Sequence, residues 1–150
     1  MLDRLFGGRG RETEKLPENE IPIAAAALMV EAAQMDGAFD ADERAAIRDM
    51  LVARLDVPAA DAEGLIAEAE ARVAEATDHW SFAKVLKNRL DEPARIGILE
   101  MLWEIAYADG QLHHMETSLI RRVAGLLYVP DQDSGAARRR VRERLGLGGE

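Results

Sequence analysis

Seven stretches of this chain repeat apolar residues every three or four positions, and most stop at a residue that ends a helix. Ile21, Ala24, Leu28 and Met35 form the first stripe, which ends at Asp36-Gly37. The second runs from about Ala41 to Leu55, with Ile47, Met50, Leu51 and Leu55 facing inward, and stops before Pro58. Ala62, Leu65, Ile66, Ala69 and Val73 mark a third helix. Phe82, Val85, Leu86 and Leu90 mark a shorter fourth, after Asp78. The fifth starts after Asp91, with Pro93 in its first turn, and runs to Asp109-Gly110. A sixth spans about His114 to Leu127 and stops before Pro130. The last, about Gly135 to Leu145, carries Ala137, Val141 and Leu145 at four-residue spacing. A period near 3.6 sustained this way specifies helices. Composition agrees: 26 alanines exceed the 19 Val, Ile and Thr residues that strands favour. The fold class expected is all-α, a compact bundle of seven short helices. In the fifth helix, apolar residues from Ile96 to Ala106 cover nearly every direction, interrupted only by Gly97, Glu100 and Glu104, so it is expected to be the central, buried one.

Two of the segments match each other. Asp36-Gly37-Ala38-Phe39-Asp40-Ala41-Asp42-Glu43 lies 73 residues before Asp109-Gly110-Gln111-Leu112-His113-His114-Met115-Glu116. Upstream, Glu31 stands opposite Glu104 and Ala33 opposite Ala106; downstream, Ile47 stands opposite Ile120. Each unit reads helix, Asp-Gly loop, helix, and two such units can pack as a pseudo-symmetric pair.

Local structure accounts for much of this pattern. Gly37 and Gly110 sit where helices end in a left-handed residue, and Phe39 and Leu112 pin the loops to the core. Asp40 caps the second helix, with Glu43 placed three residues on for a capping box. Glu31 and Glu104 lie inside helices, where capping is not expected, about 60° around the wheel from Leu28 and Met101. Glu100 and Glu104 are four apart on one face, where like charges repel. Partly buried acids need a cation, from Arg, Lys or a metal. For a metal, oxygen ligands suit a hard divalent ion such as Ca²⁺ or Mg²⁺. The candidate ligands are Glu31, Asp36, Glu43, Glu104, Asp109 and Glu116, with Asp40 and Glu100 behind them. The loop is not an EF-hand, because Gly directly follows the first Asp.

The paired loops, together with the tract Leu102-Trp103-Glu104-Ile105-Ala106-Tyr107-Ala108-Asp109-Gly110, resemble the tellurite-resistance protein B (TerB-like) family from about Ile21 to Leu145. That resemblance implies an all-helical domain over residues 21–146, pseudo-symmetric halves and an acidic surface. It also implies links to tellurite resistance and stress response, divalent-cation binding, and scaffolding of other proteins at the membrane as in co-chaperones. It implies no enzyme activity.

The residues point the same way. With no cysteine, thiolate metal sites, iron–sulfur clusters and cysteine nucleophiles are excluded. No glycine-rich dinucleotide loop or G-x-S-x-G turn is present, and adjacent His113 and His114 point apart on a helix. The formal net charge of -9 falls on residues 21–130, with 10 basic and 19 acidic side chains, which disfavours nucleic acid as the main partner. Another protein is the partner expected. Arg138, Arg139, Arg140, Arg142 and Arg144 make the last helix basic, either for lipid or RNA or to pair with the domain's own carboxylates. Residues 1–20 are expected to form a mobile tail whose Met1–Phe6 segment buries too little to hold a membrane. With no apolar run of spanning or signal length, a cytoplasmic location is expected.

Overall fold

A computed structural model describes residues 20–35, 39–78, 80–107 and 114–147, with the side chains of 114–116 excepted. The expected tail over residues 1–20 falls outside it except for Glu20, and so do the Asp-Gly loop residues 36–38 and 108–113. The described residues form seven helices and no strand: α1 Glu20–Met35, α2 Ala41–Leu55, α3 Ala59–Glu75, α4 Ser81–Arg89, α5 Glu92–Ala106, α6 His114–Leu126 and α7 Asp131–Arg144. The all-α reading is thus the observed architecture.

The start and stop residues explain the boundaries. Asp40 takes an extended N-cap conformation, and its Oδ1 accepts the Glu43 N–H at 3.0 Å. Asp91 does the same for Ala94 at 3.1 Å, ahead of Pro93 in the first turn of α5. α2 ends three residues before Pro58, where Asp56 turns left-handed at φ 58° and Val57 N–H donates to Leu51 O at 3.1 Å. α7 starts at Asp131, four residues ahead of the expected Gly135. Pro130 fixes the entry, and Asp131 and Asp133 face the positive helix end. These polar first-turn residues carry no apolar period, so the stripe alone reveals only the later turns.

Two helices are buried, where the sequence singled out one. α1 buries eleven consecutive residues, Ile23 to Ala33, and packs against α2, α3, α4, α5 and α6. Four successive alanines, Ala24–Ala27, let neighbours approach from every side, a role that a search for large side chains overlooks. α5 buries Ile98–Trp103, Ile105 and Ala106, and packs against α1, α2, α6 and α7. Leu28, Ile47, Leu51, Ile66, Leu86, Leu99 and Leu127 lie fully buried in the core, each contributing about 1.5–3 kcal/mol of hydrophobic stabilisation. Two residues placed inward from periodicity are exposed. Met35 is the last residue of α1 and Leu145 lies just past α7, so neither is covered by a neighbouring helix. No helix among the described residues is long and apolar enough to cross a membrane.

Candidate functional site

Of the six candidate ligands, Asp36 and Asp109 lie outside the described residues, as does the side chain of Glu116. Leu112 and His113 also lie outside them. Glu31, Glu43 and Glu104 are described, and they occupy three different settings.

Glu31 is buried in the middle of α1. Its Oε2 accepts the backbone N–H of Trp80 at 3.1 Å. Trp80 is the N-cap residue of α4, left-handed at φ 66° and without a side-chain cap of its own. A helix start leaves N–H groups unsatisfied, and a carboxylate is a strong acceptor for one of them. Glu31 therefore does serve a helix entry, that of a different helix, which corrects the expectation that capping is irrelevant to it. The contact spans 49 residues of sequence, and no local pattern announces it. Glu43 is half-buried in the first turn of α2, where its N–H is held by Asp40.

Glu104 belongs to a network with Glu100 on α5. Glu100 Oε1 accepts from Arg54 Nη2 and Arg144 Nη1, each at 3.1 Å, and its Oε2 accepts from Arg140 Nε at 2.8 Å. Glu104 Oε2 lies 3.4 Å from Arg144 Nη2. Its Oε1 lies 3.7 Å from Arg54 Nη1, an ion pair too long to be a hydrogen bond. Two carboxylates that repel each other along α5 are thus held by guanidiniums from α2 on one side and α7 on the other. Burial pushes the Glu100 carboxyl up, but hydrogen bonds from Arg140, Arg54 and Arg144 together hold it below the usual carboxylate range. A signal for this was present in the sequence: Arg140 and Arg144 have the same four-residue spacing as Glu100 and Glu104, as two helices lying side by side require.

The rest of α7 also turns its charge inward. Arg138 Nε donates to the buried Tyr107 hydroxyl at 2.8 Å, and its guanidinium lies 5.0 Å from the Trp103 ring centroid. Arg142 donates to the same hydroxyl at 3.2 Å and to Leu147 O at 2.6 Å. Four of the five arginines thus contact the domain itself. A second set joins α2 to α3: Arg44 meets Glu63 and Glu70, each at 3.0 Å, and Arg48 meets Glu63 at 3.2 Å. Donating hydrogen bonds to Glu70 and Glu63 raises the Arg44 pKa, and accepting them from Arg44 and Arg48 lowers that of Glu63. This set is half-buried at Arg44 and Glu70 and exposed at Glu63 and Arg48, so it stabilises little.

Among the described residues no group of three or more His, Asp or Glu side chains is placed to hold a metal ion. One open groove of about 490 Å³ has an apolar floor of Pro22, Leu55, Val57, Pro58 and Leu65, rimmed by Asp56, Asp61 and Glu68.

A family model described as Tellurite resistance protein TerB matches residues 22–139, from the first turn of α1 into α7. No curated protein and no solved structure matches the chain.

Proposed function

The chain belongs to the tellurite resistance protein TerB family, and from that premise we propose that it is a non-enzymatic helical module that binds another protein. On this reading its buried acids serve its own architecture, as helix caps and ion-pair partners. The observation that carries it is the set of three arginines around Glu100 and Glu104. Carboxylates already paired with guanidiniums give a cation less to gain, because binding would first have to break those pairs. The groove rimmed by Asp56, Asp61 and Glu68 suits a basic partner segment with apolar side chains. The tie to tellurite resistance and stress response then runs through that partner and not through chemistry done here.

The competing reading gives Glu31, Asp36, Glu43, Glu104, Asp109 and Glu116 a shared divalent cation. Thermal melts with Ca²⁺, Mg²⁺ or Mn²⁺ separate the two, since an ion held by the folded state raises the melting temperature with its concentration. We expect no rise that depends on Glu104. A saturable rise abolished by Glu104→Gln, or by Glu43→Gln with Glu116→Gln, contradicts the proposal.

A further inference from the structure

A cavity of about 220 Å³ opens between α5, α6 and the first turns of α7, apart from the acids discussed above. Its lining is cationic within an otherwise acidic chain: Arg121 and Arg138 stand against one carboxylate, Asp131. Arg121 is exposed and enters no ion pair among the described residues. Arg138 lines the same cavity: its Nε donates to Tyr107, its guanidinium lies over the Trp103 ring, and among the described residues no hydrogen bond engages its terminal N–H groups. Thr117 and Ser134 add hydroxyls, Ser134 on a residue only 6% exposed.

Two further observations suggest that this space holds an acceptor. Trp103 forms part of the wall and is 4% exposed, yet its buried Nε1–H has no hydrogen-bond acceptor among the described residues. A buried donor left unpaired is costly and rare. The bordering helix start is also uncapped, because Pro130 supplies no side-chain acceptor to the first-turn N–H groups of α7. Gly135, inside α7, keeps the wall open. A Cβ there would meet only the Arg139 guanidinium, at 3.8 Å, so packing does not demand a glycine that helices disfavour.

We infer that this cavity binds a small protonated tetrahedral oxyanion of the hydrogenphosphate class, free or as the head of a small monoester. Arg121 and Arg138 supply charge-assisted hydrogen bonds, and the hydroxyls and the α7 start supply neutral ones. Asp131 can only accept, so it selects an anion that still carries a proton. Sulfate at neutral pH has none to donate and meets a repelling carboxylate.

The test uses the full chain and its two tryptophans, whose indole N–H signals are separately visible by NMR. Inorganic phosphate, sulfate and glycerol 3-phosphate are titrated at constant ionic strength. The Trp103 signal should move saturably with phosphate while that of Trp80 stays, and sulfate should bind about tenfold more weakly or worse. Glycerol 3-phosphate binding more tightly than phosphate identifies the ester as the ligand; weaker binding identifies the free ion. Arg121→Gln should weaken phosphate by about tenfold without changing the melting temperature, since that side chain is exposed. Asp131→Asn should bring sulfate level with phosphate. A Trp103 signal that phosphate leaves in place, or a shift shared equally by sulfate and kept in Arg121→Gln, overturns the inference.

Discussion

The α1–α2 and α5–α6 hairpins carry a glutamate at the same place in their repeat, and the two make unlike contacts. Glu31 meets a backbone N–H at the start of α4, whereas Glu104 meets guanidiniums from α2 and α7. The surroundings explain the contrast. α1 lies among five helices and its acid faces the entry of one of them, while α5 runs beside the arginine-rich α7. A repeat can therefore preserve a residue type while its environment decides what the residue does.

The largest effect should come from breaking the α5 side. Glu100→Ala leaves three arginines facing one another without their shared carboxylate. Urea unfolding should show a loss of about 3 kcal/mol, the low end for a buried pair because Arg140 and Arg144 are partly solvated. A loss under about 1 kcal/mol would mean that the network is ornamental. On the α1 side, Glu31→Ala should cost about 2 kcal/mol by removing the acceptor for Trp80, and Glu31→Gln should recover part of it through its remaining carbonyl. If Gln behaves like Ala, the negative charge itself is what matters there.

Acid should also distinguish the hairpins. Glu100 has a lowered folded-state pKa, so its contribution is complete above the unfolded value near pH 4.3 and is lost as pH falls through the folded value. Stability measured from pH 5 downward should decline less steeply in Glu100→Gln than in the parent chain. An unchanged slope would remove Glu100 from the account. Asp40→Ala should cost about 1 kcal/mol through the lost α2 cap. The smallest effect belongs to Glu63→Gln at the exposed α2–α3 rim, where no change outside experimental error is expected.

Local rules made most of the fold legible. Asp40 and Pro58 bracket α2, and Asp91 with Pro93 opens α5, because caps and breakers act within a few residues. The polar start of α7 escaped because its Asp131 and Asp133 obey the helix dipole and not the apolar period. The contact of Glu31 with Trp80 escaped for a deeper reason: the donor is a backbone group, and nearly every residue has one. The Glu100–Glu104 pairing was half visible in the matching spacing of Arg140 and Arg144, while Arg54 needed the packing of α2 on α5. The loop acids Asp36 and Asp109 lie outside the described residues, so the candidate site is followed only through Glu31, Glu43 and Glu104.

If the acids on α5 hold helices together, a double-mutant cycle on Glu104→Gln and Arg144→Gln should reveal it. Urea unfolding of the four proteins, with and without Ca²⁺, should give a coupling of roughly 1 kcal/mol that the ion leaves unchanged. A coupling indistinguishable from zero, with Ca²⁺ stabilising the parent chain but not Glu104→Gln, would contradict it.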